Sequence, residues 1–400
     1  MQANLAPEDE LCLLLSRSRL SPDVERRALE LLSSPLRWPQ VLEHTYHQQI
    51  LPLLFHRLQA LQFPGVPEAV VTELGSAFRR NAMRNVVLAD ELARVLRLLA
   101  AAGIPVLPLK GVFLAESLYG NPDLRVCADT DILVPPKFFP ATLGLLEAEN
   151  YHSSIGHPRM LGLLARYEKD CGLMRQDRSW SFPLQVHVGL IWGGPVEHSL
   201  LEQVWAEAVR KDIHGAPALA LSAEWEFLYL AVHAARHGLA PLKWLVDIDQ
   251  LCSSGSVDWE SASRKARRLG WEKIIRQVLG ACGSLLDTPI PAPFSVPKGP
   301  APCAIPQPET SRLHIPRDLF FSVRLLRSSK EKLRYLAVRL FVPTAGDYRF
   351  LPLPTSLFFL YGVLRPVRLA CQVGWWLVQA GVERLSRSLR PRQPISHHKP

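Results

Sequence analysis

No apolar run in this chain of 400 residues is long enough to cross a bilayer. The two best stretches, 356–364 and 369–382, hold 9 and 14 residues with Arg365 and Arg368 between them, short of the ~20 that a spanning helix needs. They read as core helices, docking helices, or segments lying in a membrane interface. Cysteine is thinly used as well. The seven (12, 127, 171, 252, 282, 303 and 371) are scattered, odd in number and without a C-x-x-C pair. That argues against a disulfide framework and for reduced thiols in a cytoplasm. The opening residues MQANLAPEDE lack the basic-then-apolar order of a secretory leader.

Acids are scarce in the last stretch. Residues 311–400 carry 16 Lys and Arg against 4 acids, a balance of +12, whereas the first 310 carry 30 basic and 33 acidic side chains, or −3. The net charge of +9 therefore belongs to the C-terminal segment. A peripheral contact with a membrane or a nucleic acid is expected there, if anywhere, and no recognisable RNA module accompanies it. With 48% apolar and 21% charged residues the chain is globular, not disordered.

The most informative stretch runs from Ile104 to Val134: I-P-V-L-P-L-K-G, F-L-A-E-S-L-Y-G, N-P-D-L-R and D-T-D-I-L-V. Residues 104–109 read as a short buried strand, Lys110-Gly111 as a turn, and 112–119 as a helix stopped at Gly120. Asp129 and Asp131 stand two apart at the start of a second strand, where period two puts both carboxylates on one face. Two acids side by side repel each other, so the pair reads either as a solvated turn or as a holder for a cation. The Lys-Gly turn and Arg125 close by favour a phosphate-and-metal site. Further on come Gln185-Val186-His187 on a strand, H-A-A-R-H at 233–237 and L-K-W-L-V-D-I-D at 242–249. His233 and His237 share a helical face, but H-A-A-R-H lacks the Glu of a metalloprotease motif, so a structural or substrate-facing role is expected. His44 and His47 have no cysteine or carboxylate spaced to join them and read as polar packing.

Taken together over roughly residues 10–285, these motifs resemble the uncharacterised nucleotidyltransferase family, a branch of the DNA polymerase β-like superfamily. The resemblance implies a nucleotidyl group passing from an NTP to an acceptor (a small molecule, sugar, protein or RNA), with Mg²⁺ as cofactor. It implies Asp129 and Asp131 as metal ligands, and Lys110 and the N–H of Gly111 facing the phosphates, with Arg125 clamping the β/γ-phosphates. Relatives tend to read D/E-x-H on the later strand, so Gln185 stands at the third-carboxylate place and His187 is left as the candidate base. The alternative is a catalytically weakened relative that binds a nucleotide or a protein without turnover.

The expected fold is α+β: a small mixed sheet embedded in a largely helical chain. Five segments are expected: an N-terminal helical region (1–102), a nucleotidyltransferase-like core (103–215) and a helical region (216–288). A linker (289–310) rich in proline and a basic extension (311–400) follow. Within the core, helix is expected over 138–149 and 198–213, and a loop or hairpin over 151–160. Paired strands are expected at 172–174 and 183–190. A chain cut near residue 290 is expected to stay folded.

Overall fold

A computed structural model describes residues 5–153, 158–178, 180–192, 197–295, 305–307 and 314–388. Four helices come first, Pro7–Ser16, Pro22–Leu32, Trp38–His47 and Leu51–Ala60, followed by the 34-residue helix Glu68–Ala101. The second is capped by Ser21, whose hydroxyl accepts from the Val24 N–H, with Pro22 in its first turn. His44 packs as a polar group, its Nδ1 2.7 Å from Asp9 Oδ1.

The α+β expectation holds. Five strands form one mixed sheet: β1 (Leu107–Pro108), β2 (Thr130–Leu133), β3 (His152–Ser153), β4 (Asp170–Asp177) and β5 (Trp180–His187). Their order is β1-β2-β5-β4-β3, with β2 and β5 parallel and the other neighbours antiparallel. The first strand is shorter than 104–109, since only Leu107 and Pro108 pair with β2. The hairpin of β4 and β5 is longer than expected, and its turn includes Arg178 at φ 48°. Between 151 and 160 the chain adds the edge strand β3, and a helix, Pro158–Tyr167, follows; residues 154–157 lie outside the described residues.

One expected helix is two different elements. Helix covers only His198–Ala206; after it β6 (Val209–Ile213) pairs antiparallel with β7 (Ala216–Ala220). His214 and Gly215 make the connection, both at positive φ (50° and 71°), a two-residue turn that suits a hairpin.

Two hydrophobic cores result. The N-terminal helices share the first with the helices Ala223–Arg236, Lys243–Ser253, Trp259–Leu269 and Glu272–Leu285. The second lies between the sheet and the latter half of the helix Glu68–Ala101. That helix belongs to both, giving Val70 and Leu74 to the first and Leu92, Leu96 and Leu99 to the second. The segments 1–102 and 216–288 are therefore joined through one interior. The chain after the proline-rich stretch is built in as well. Leu325, Leu326 and Tyr335 are buried in the first core, and Phe358 and Tyr361 in the second.

Candidate active site

β2 begins at Thr130, and its pairing with β5 sets Asp131 directly beside Gln185 and Leu133 beside His187. Partners in a ladder share a face, so Asp131, Gln185 and His187 stand together, as the period-two reading requires. On the other side of β5, the antiparallel register sets Gly172 beside Gln185 and Asp170 beside His187. Gly172 has a use here: a Cβ on it would sit 3.3 Å from the amide atoms of Gln185, so the missing side chain leaves room for that amide.

The polar contacts run along this face. His187 Nε2 lies 2.8 Å from Asp131 Oδ1, and its Nδ1 lies 3.8 Å from Asp170 Oδ2. Lys110 Nζ is 3.4 Å from Asp131 Oδ2, and Lys169 pairs with Asp170. Burial works against the charge of Asp131, but Lys110 and His187 outweigh it and hold the carboxyl below the usual carboxylate range. Asp129 is more open, and the charges of Lys110, Lys243 and Arg125 near it do not prevail. Burial and the neighbouring Asp131 push its pKa up. A like-charged neighbour and partial burial make Asp129 the group a bound cation would relieve most.

The Lys110-Gly111 turn fits tightly behind the pair. Gly111 sits at φ 69°, and a Cβ there would come within 2.9 Å of the Asp129 carbonyl oxygen, so both conformation and space call for glycine. Arg125 departs from the phosphate-clamp expectation. Its guanidinium donates twice to Asp247, Nε to Oδ1 at 2.8 Å and Nη2 to Oδ2 at 2.9 Å, while Nη1 reaches the Gly111 carbonyl at 3.3 Å. At 4% exposure it is a buried tie between the turn and the helix Lys243–Ser253. Sequence reasoning placed Arg125 near the turn but could not see the partner 122 residues later.

The loop that carries Asp129 is pinned from both sides. Asn85 Nδ2 donates to the carbonyls of Pro122 and Arg125, and Arg84 to those of Cys127 and Ala128. Lys243 Nζ donates to the Val126 carbonyl at 3.1 Å. Arg84 on the long helix thus holds the loop that carries Asp129. Lys243, inside the L-K-W-L-V-D-I-D motif, was not singled out. Burial and Arg125 lower its pKa to about 8.

Asp170 was also missed, because it becomes visible only through the β4–β5 register. His187 is 2% exposed with Nε2 turned to Asp131, so it orients that carboxylate and does not face solvent as a free base. Beside this face a cleft of about 210 Å³ is lined by Lys169, Tyr229, His233 and Arg236 among others. Lys110 Nζ, 5.9 Å from the centre of the Tyr229 ring, joins it to the carboxylates. His233 and His237 pack against each other and against Trp244, tilted or edge-on, with ring centres 4.7–4.8 Å apart. Burial and the neighbouring Lys110 lower the His233 pKa well below its ordinary value, so it is neutral at pH 7. Among the described residues no three His, Cys, Asp or Glu side chains converge as a metal-holding group.

No curated protein matches the chain. A nucleotidyltransferase-like antigenic protein of Paracoccidioides brasiliensis is similar in structure at 14% identity and a TM-score of 0.30, over 50% of this chain and 96% of that one. The profile of the uncharacterised nucleotidyltransferases matches residues 34–287, which include every strand and every site residue named above. The chain belongs to that family.

Proposed function

We propose that the protein is a Mg²⁺-dependent nucleotidyltransferase that moves a nucleotidyl group from an NTP to an acceptor. The observation that supports this reading is Asp131 with Lys110 Nζ at 3.4 Å and Asp129 as its charged neighbour, close by the Lys110-Gly111 turn. The donor set fits Mg²⁺, a hard cation commonly bound by one or two carboxylates plus substrate phosphates and water. Asp129 and Asp131 would hold it, and when bound it would neutralise charge building on the transferred phosphate. Lys110 supplies a second positive charge at the same place, and His187 keeps Asp131 ionised and aimed. The cleft between Tyr229, His233, Lys169 and Arg236 gives part of the substrate room beside the carboxylates.

Calorimetry of ATP and GTP, each with and without Mg²⁺, tests the reading. The expected result is Mg²⁺-dependent binding that Asp129→Asn weakens, with pyrophosphate released once an acceptor is supplied. Equal binding in the presence of a chelator would overturn it.

A specific observation favours a second reading. Gln185 is the ladder neighbour of Asp131, so the group beside that carboxylate is an uncharged amide, at the place to which the family resemblance assigns a third carboxylate. A protein that binds nucleotide with Mg²⁺ but releases no pyrophosphate would be such a weakened relative.

A further inference from the structure

Large apolar side chains are unevenly exposed on this protein. Of the 21 that the described surface shows, 15 lie between Phe320 and Val378, outside the family match. The most exposed include Phe350 (73%), Phe359 (71%) and Trp375 (65%). On the helix Tyr361–Ser388 the exposed positions Val363, Val367, Cys371, Trp375 and Val378 recur at steps of three and four, one stripe along one face. Beside it an apolar groove of about 230 Å³ runs between Phe350, Leu351, Leu364 and Val367.

The charge on this segment is mostly of one sign. Residues 314–388 hold twelve Lys and Arg against four acids, and three of the four acids are already engaged. Asp318 pairs with Arg236, Glu331 caps its own helix at Ser328, and Asp347 pairs with Arg365 and Arg368. Arg324, Lys330 and Arg334 are exposed, and the segment from 311 onward carries +12.

We propose that this face binds an anionic lipid surface, with the helix Tyr361–Ser388 lying in the interface. Apolar side chains along a helix, aromatics beside them and exposed cations such as Arg324, Lys330 and Arg334 on the same basic segment are the combination that buries into the headgroup boundary while cations meet the lipid charge. Four of the five positions in the stripe are not aromatic, so it offers a nucleic acid one stacking plane, Trp375, and not the row of them that single-strand binding uses, which disfavours that partner. A second copy would set two faces of like charge against each other. No described helix is long and apolar enough to cross the bilayer, which fits a helix lying on it.

Flotation of the full-length protein with vesicles tests this. One set is phosphatidylcholine alone, and the other has about one-third phosphatidylserine. The protein should float with the second and not the first, and high salt should weaken the association. Phe350→Ser/Phe359→Ser/Trp375→Ser changes only exposed positions and should lower vesicle affinity ~10-fold or more while leaving Mg²⁺-nucleotide binding in place. Equal flotation of this variant overturns the proposal, as does equal binding to both vesicles. A single-stranded RNA that displaces the protein from phosphatidylserine points instead to a nucleic acid. A dimer in light scattering that the triple variant abolishes points to a second copy.

Discussion

At the scale of single residues, the site turns on two positions where charge decides the role. Gln185 sets its amide against Gly172 beside Asp131. Gln185→Glu adds a carboxylate there with little change of shape. Supporting groups at metal sites are typically worth 10–100-fold in affinity, so Mg²⁺ binding in the presence of nucleotide should tighten by ~10-fold or more. Unchanged affinity in a Mg²⁺ titration would mean that the amide plays no part at the metal. Arg125 is the second position. Arg125→Met would leave Asp247 buried at 0% side-chain exposure without its two charge-assisted bonds. Breaking such a pair typically costs about 3–5 kcal/mol, which denaturant unfolding should show. A phosphate clamp would behave otherwise, losing nucleotide affinity at full stability. Sequence alone carried the shared face of Gln185 and His187, because period two needs no partner to be read, while their meeting with Asp131 came only with the pairing of β2 and β5. It did not carry Asp247, Lys243 or Asp170, whose roles exist only once segments far apart in the chain are brought together.

At the scale of elements, the sheet is fastened to the long helix by one carboxylate. Glu91 accepts from Arg175 on β4, from Tyr151 and from Arg94. Burial raises its pKa, but these donors overcome that and lower it to about 2. A carboxyl lowered in the folded state stabilises the fold above its unfolded value, and that contribution fades as the pH falls from about 4.5 toward 2. The shift corresponds to about 3 kcal/mol at most. Glu91→Gln should therefore cost stability at pH 7, and its unfolding free energy should depend less on pH between 5 and 2 (about the window set by the two pKa values). Parallel acid-unfolding curves for the two proteins would remove Glu91 as the strut. The elements themselves were legible where periodicity was strong, as in 112–119 and 139–148. The hairpin at 209–220 was not. Its first strand follows a helix with only Glu207 and Ala208 between, so the helical pattern ran on past its true end in the sequence reading.

At the scale of the whole molecule, the basic segment is attached at both ends of the site. Asp318 meets Arg236 at the cleft, and Arg339 meets Glu168 two residues before Asp170, at 2.9–3.0 Å. Trp192 Nε1 donates to the Ser322 carbonyl from inside the first core. These contacts revise the expectation that a chain ending near residue 290 stays folded. Such a chain would lose Phe294, Leu325, Leu326 and Tyr335 from the first core and Phe358 and Tyr361 from the second. Fully burying one such side chain is worth ~1.5–3 kcal/mol, while a typical domain is stable by only ~5–15 kcal/mol in all. Removing six of them at once approaches or exceeds that margin. The truncated chain should therefore bind a hydrophobic dye and lose its cooperative thermal transition, while a chain ending at residue 388 keeps it. A sharp transition in the shorter chain would show that the first 290 residues close their own cores, and that the apolar face beyond them is carried as a separate attachment.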